Sequence, residues 1–201
     1  LEGPLDRERQ RLGYSLHRET KNMGKLIAQA LDDGEIVARC SGRLEFGARA
    51  LGNRTIMADA RSLDIKVPLN KRIKHRDFWM PFAPSISWEE RDRLIDNPKD
   101  IKAPYMILAF PSTDEGREEL KAAMHPYDFS IRPQVVEKEW NPGYWEILDE
   151  WYRQSGCGGF LNTSFNLHGY PIVKDAAVAL WTMENSDLSM LVVDDWVITK
   201  G

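Results

Sequence analysis

The sequence predicts a mixed α/β domain, a sheet covered by helices, and three observations carry that prediction. Helical and extended patterns alternate along the chain. The 201 residues are 42% hydrophobic, enough for one substantial core. No stretch approaches the roughly 20 uncharged apolar residues that a membrane helix needs.

Residues 1–17 read as linker, without the apolar stretch and small-residue cleavage site of a secretory signal, and 18–201 as one domain. From 18 to 33, Met23, Leu26, Ile27, Ala30 and Leu31 fall at helical spacing, with Gly34 as the stop. EIVARC is a short strand; a Gly-rich stretch, SGRLEFGARALGN, follows; TIMADA is a strand, and Leu69 to Lys74 a helix with Pro68 near its first turn. MPFAPSIS is extended, Glu89 to Ile95 a short helix, YMILAF a strand, DEGREELKAAM a polar-faced helix and RPQVVEKEW extended. In PGYWEILDEWYRQ the apolar face is Trp145, Leu148, Trp151 and Tyr152, with SGCGG ending the helix. GFLN, a polar loop, the helix DAAVALWTMENS and the strands SMLVV and WVIT complete the alternation. Ligands are then expected at loops joining strand ends.

Charge narrows the function. From Arg43 to Arg76 there are nine Lys or Arg against three Asp or Glu, a balance of +6 that leaves −10 for the remainder. An acidic protein with one basic third suits a local anion site better than nucleic acid, which needs a broad basic face. Cys40 and Cys157 match no zinc or redox spacing and read as reduced thiols of a cytoplasmic protein. The four histidines form no metal-binding pair, there is no Walker A sequence, and Ser164 sits in no nucleophile elbow.

Three segments carry chemistry. In GRLEFGARALGN and the arginine after it, Arg43, Arg49 and Arg54 supply forked cationic donors, and Gly42, Gly47 and Gly52 permit tight turns that complete an anion cradle. Plain turns and solvated arginines are the bland alternative. Glu45 is placed to orient an arginine, hold magnesium, or form a surface ion pair. In LNKRIKHRDFWMPFAPS, the cations Lys71, Arg72, Lys74, His75 and Arg76 either cap a helix C-terminus or send one lysine inward to neutralise phosphate. In GGFLNTSFNLHGYPIV, Asn162, Thr163, Ser164, Asn166 and His168 offer amides and hydroxyls for substrate positioning, or merely turn-forming side chains. The tryptophans are assigned to packing.

Taken together, GRLEFGARALGNRT, LNKRIKHRDFWMPFAPS and NTSFNLHGYPIV resemble the C-terminal domain of the O-carbamoyltransferases that modify nodulation factors and antibiotics, with the pattern GRxEFGPRALGNRS, a basic LNxxxKxR helix leading into RPFAPS, and NTSFNxxGEPIV. The resemblance runs from Gly34 to Lys200. It implies a YrdC-like fold with a twisted, open, mixed sheet. It also implies that carbamoyl phosphate and ATP, the latter with Mg²⁺, yield a carbamoyl-adenylate, and that a Kae1-like domain, not recognisable in this chain, passes the carbamoyl group to an acceptor hydroxyl. On the matching positions, Arg49 and Lys74 become the catalytic candidates. Arg132, Ser164 and Asn166 join them as phosphate ligands, and Arg43, Arg54 and Asn162 stand behind. Arg132 is an ordinary strand-start arginine until the resemblance promotes it. Three positions depart from the pattern: Met80 for arginine, Tyr170 for glutamate and Ala48 for proline. One lost charge-assisted contact at Met80 costs about 1.5 to 3 kcal/mol, which Arg76 is placed to offset. Met80 and Tyr170 favour a second reading, a non-catalytic nucleotide- or anion-binding or partner-docking module; Ala48 alters loop stiffness.

Overall fold

The computed structural model describes residues 13–74 and 80–200. Residues 1–12 of the expected linker, His75 and Arg76 lie outside the described residues, as does the side chain of Arg72.

Eight strands form one mixed sheet: β1 (Ser15–Arg18), β2 (Val37–Cys40), β3 (Arg54–Ala58), β4 (Ala83–Ser87), β7 (Gln134–Val136), β8 (Gly159–Ser164), β9 (Met190–Val193) and β10 (Trp196–Thr199). Their spatial order is β1-β10-β9-β2-β3-β8-β4-β7. The pairs β2/β9 and β4/β7 are parallel and the others antiparallel. Strands β5 (Phe110–Pro111) and β6 (Ser130–Ile131) make a separate small ladder.

The central strands are apolar on both faces because both are covered. Along β9, Met190 and Val192 join one core cluster while Leu191 and Val193 join the other, the two-residue period of a strand sorting side chains between faces. The first cluster lies under α1 (Met23–Asp32) and α4 (Pro142–Ser155). The second lies under the π-helix Pro68–Lys74 and α5 (Ala176–Glu184). Helix α4 is locally well specified: the Asn141 side chain accepts the Tyr144 N–H, Pro142 opens the helix, and Gly156 ends it at φ 74°. Two smaller helices, α2 (Arg91–Leu94) and α3 (Asp114–Glu119), pack together beside the small ladder.

Four expectations need correction. The first helix begins at Met23, and Ser15–Arg18, mostly assigned to linker, pair with β10 at the sheet edge. The buried face of α4 is Tyr144, Ile147, Leu148 and Trp151, while Tyr152 is exposed. Tyr144 fixes this rotation by sending its hydroxyl to Ser85 Oγ of β4 at 2.9 Å. YMILAF is not a strand before Phe110: Tyr105, Ile107 and Leu108 are exposed. Met106 adopts φ 56°, which breaks the extended run. The chain instead leaves edge strand β7 after one contact, Val135 N–H to the Ala103 carbonyl at 2.9 Å. Finally, the helix after Pro68 is a π-helix, a widened form frequent at functional sites.

Candidate functional site: an anion cavity at the end of β8

The Gly-rich loop between β2 and β3 is wrapped around one arginine. Arg54, 5% exposed, donates through Nη1 to the carbonyls of Ser41 (2.8 Å), Asn53 (3.0 Å) and Arg43 (3.3 Å), and through Nη2 to those of Gly42 (3.0 Å) and Lys174 (3.3 Å). Glu45 completes the wrap: one carboxylate oxygen accepts the N–H groups of Asn53 (2.9 Å) and Arg54 (2.6 Å). A glutamate used in this way is a backbone clamp. Neither residue directs its charge at a ligand.

Three successive carbonyls of the same loop are then held from below by buried side chains of three strands. Asn162 Nδ2 (β8) donates to Ala50 at 3.0 Å, Gln134 Nε2 (β7) to Leu51 at 2.8 Å, and Arg39 Nη1 (β2) to Gly52. Asn162 also donates to Ser85 Oγ (2.8 Å) and Gln134 Oε1 (3.1 Å) and accepts from Thr55. Burial of the whole network pushes the Arg39 pKa down and the Tyr144 phenol pKa up. A network so fully satisfied is rigid, and it fixes where the residue before Ala50 stands.

That residue is Arg49, which is exposed and borders a cavity of about 90 Å³ together with Arg132, Asn162, Ser164, Pro81 and Met106. The cavity lies at the C-terminal end of β8, beside the starts of β3, β4 and β7. Arg132 is half-buried; burial first, and repulsion from Arg49 second, push its pKa down. Its buried Nε has no hydrogen-bond partner among the described residues. Two guanidiniums thus converge on one space whose walls, among the described residues, carry no carboxylate. Such a space favours an anion.

Lys74, at the end of the π-helix and 3% exposed, stands behind Ser164. Its ammonium donates to the Ser164 carbonyl (2.5 Å) and hydroxyl (3.2 Å) and to the Asn166 carbonyl (2.9 Å) and Oδ1 (2.6 Å). Ser164 Oγ donates to Asn166 Oδ1 at 2.7 Å, and Asn166 Nδ2 to the Tyr170 carbonyl at 2.6 Å. Lys74 therefore organises the Ser164-to-Asn166 turn and adds positive charge from behind the cavity wall.

Of the residues proposed from sequence, the structure gathers Arg49, Arg132, Ser164 and Asn162 on one cavity, with Lys74 and Asn166 directly behind. It separates Arg54, committed to backbone, and Arg43, which borders a neighbouring cavity of about 240 Å³ with Phe46, Tyr105 and Trp140. The chain reaches the anion cavity at Pro81, one residue after Met80. Gln134 and Ser85 were missed. The available signal for Gln134 was its place two residues after Arg132 in an extended run, on the same face.

A family model described as "Carbamoyltransferase C-terminus" matches residues 28–200. The chain belongs to that family. It is 34% identical to the nodulation protein NolNO of Sinorhizobium fredii over 96% of its own length and 29% of that protein's. It is 32% identical to the 3'-hydroxymethylcephem-O-carbamoyltransferase of Amycolatopsis lactamdurans over 84% of its length and 31% of the relative's. The chain thus spans less than a third of these two relatives. Among solved structures, full-length HypF in a phosphate- and nucleotide-bound form superposes with a TM-score of 0.62 at 19% identity, over 92% of this chain and 22% of that one. The carbamoyltransferase domain has the YrdC-like α/β fold. Among its described residues no helix is long and apolar enough to cross a membrane.

Proposed function

We propose that this domain binds carbamoyl phosphate and ATP and joins them into a carbamoyl-adenylate for transfer to an acceptor hydroxyl by a Kae1-like domain in cis or in trans. The observation that carries the reading is the convergence of Arg49 and Arg132, the latter without a side-chain hydrogen-bond partner among the described residues, over Ser164 in a cavity of about 90 Å³. At about 30 Å³ of liquid volume per water, that space suits a phosphate or carbamate head. The rest of a nucleotide would extend from it, and the adjacent cavity faced by Phe46, Tyr105 and Trp140 offers aromatic surface for a base.

In this scheme Arg49 and Arg132 hold the phosphate while water splits its phosphorus–oxygen bond to the carbamoyl group, giving carbamate and phosphate. A carbamate oxygen then attacks the α-phosphorus of ATP, forming the carbamoyl-adenylate and expelling pyrophosphate. Charge spread over these transferring groups is stabilised by the same guanidiniums and by Lys74. Ser164 Oγ supplies a hydroxyl donor once released from Asn166. Mg²⁺ would arrive on the ATP phosphates; among the described residues no cluster of three or more His, Cys, Asp or Glu offers a protein site.

The test is carbamoyl-phosphate-dependent exchange of labelled pyrophosphate into ATP by the folded chain. Exchange supports the reading, and its absence with calorimetric binding of both ligands instead supports a non-catalytic binding module. Two observations favour that second reading: all three Lys74 protons already have protein acceptors, and Met80 leaves the second segment without its expected arginine. Failure to bind either ligand removes both.

A further inference from the structure

A third cavity, unconnected with the carbamoyl chemistry, lies between the 3₁₀ turn Leu63–Ile65 and the α3 region. Its volume is about 360 Å³, four times that of the anion cavity, and Leu63, Met124, Pro126 and Phe129 supply its apolar surface. This is a size typical of small-molecule sites.

Its charges are unbalanced. Among the described residues, Lys66, Arg117 and Lys121 border it against Glu118 alone. Glu118 is already taken by Lys121 at 2.7 Å. Lys66 is half-buried and makes no ion pair or hydrogen bond among the described residues, while desolvation alone pushes its pKa down. Among the described residues, Arg117 meets only the outlying Asp114 at 3.7 Å and Ser112 Oγ at 3.3 Å, and its guanidinium lies 5.2 Å from the centre of the Phe129 ring. Half-burying an ammonium without a counter-charge is unfavourable, so the fold maintains a cost there that an anion would relieve.

The aromatic wall is also maintained at a cost. Phe129 holds φ 58°, a conformation that a bulky L-residue rarely adopts. Ser112 Oγ donates to its carbonyl at 2.6 Å, its own N–H donates to the His125 carbonyl at 3.1 Å, and the next residue's N–H is held by Asp128. These bonds keep the ring, 45% exposed, at the cavity and under Arg117. Strain of this kind, maintained by its surroundings, clusters at functional sites.

We propose that this cavity is a binding site for a small amphipathic anion, an aryl or branched alkyl carboxylate, whose charge pairs with Lys66 and Arg117 and whose body packs on Phe129, Met124 and Leu63. It is separate from the site of carbamoyl chemistry and does not depend on that reading.

The probe is 2-naphthoate, titrated calorimetrically into the folded chain, with the uncharged 2-naphthamide as its control. Saturable naphthoate binding is expected, with the amide about tenfold weaker or worse, the loss of one charge-assisted contact. Lys66→Met should weaken naphthoate about tenfold while its thermal midpoint stays level or rises, since no bond is lost. Phe129→Gly should weaken it comparably and fold normally, because glycine accepts the positive φ. Arg132→Met should leave naphthoate binding unchanged, and Lys66→Met should leave carbamoyl phosphate binding unchanged. No saturable binding by the wild type, equal affinity for the amide, or unaltered binding in Lys66→Met would each overturn the proposal. So would loss of naphthoate binding in Arg132→Met, which would place the probe in the anion cavity.

Discussion

Arg54 and Arg132 have the same side chain, belong to the same basic neighbourhood and fill opposite roles. Arg54 spends both terminal nitrogens on five backbone carbonyls and holds a loop in shape. Arg132 is desolvated and faces a second arginine, and its side chain makes no hydrogen bond among the described residues, whereas in Arg54 only Nε lacks one. The first stabilises the fold with its charge, and in the proposed function the second keeps its charge for a ligand. What separates them is where their N–H groups end. Substitutions should accordingly divide into two classes, those that move stability and those that move binding.

The largest effect belongs to the loop-shaping class. Gly52 has φ 109°, and a Cβ there would come within 2.4 Å of the Tyr144 ring, a fully buried group that cannot retreat. Gly52→Ala should cost more than about 3 kcal/mol, clash and backbone strain together, and appear as a lowered thermal midpoint or insoluble protein. Gly47 is the internal control: its φ is 90° but open space surrounds it, so Gly47→Ala should cost only about 1 to 2 kcal/mol. Equal costs at both positions would show that the loop does not pack on α4 as described.

Arg54→Met should come next, at roughly 3 kcal/mol, because several carbonyls lose a charged donor in a site that water reaches poorly. Arg132→Met should do the reverse. Its thermal midpoint should hold or rise, since a desolvated charge facing Arg49 is removed, while carbamoyl phosphate affinity in calorimetry falls about 10- to 100-fold, one charge-assisted contact of roughly 1.5 to 3 kcal/mol. If Arg132→Met unfolds the protein, or Arg54→Met weakens binding without destabilising, the assignment of the two arginines is inverted.

The sheet was legible because its strands obey rules local to the sequence. SMLVV and WVIT are short apolar runs between turn residues, and Asn141, Pro142 and Gly156 announce the ends of α4. SLHR at the edge was not, since an edge strand with one apolar residue carries no periodic signal. YMILAF misled for the opposite reason: an apolar run reads as a strand, whereas Tyr105 and Met106 border two cavities on either side of a bend. At the site, charge and glycine content located the loop but did not rank its arginines. That ranking depends on carbonyls brought near by β7, β8 and the turn at Lys174, contacts set by tertiary structure alone.

The smallest expected effect concerns Tyr170, which stands where the family pattern has glutamate. A glutamate at a conserved-looking motif position invites a role in binding, yet the structure uses only the backbone here: the Tyr170 carbonyl accepts from Asn166 Nδ2 at 2.6 Å. Its ring is 55% exposed and leans on Trp181 with centroids 5.3 Å apart. Any side chain that leaves the backbone in place preserves the contact. Tyr170→Glu should therefore keep carbamoyl phosphate affinity within about threefold, under 1 kcal/mol, and lower stability by no more than about 1 kcal/mol through the lost ring contact. A tenfold or greater gain in affinity would show that the side chain at this position reaches the ligand, and that the cavity at Arg49 and Arg132 extends further along the Ser164-to-Tyr170 turn.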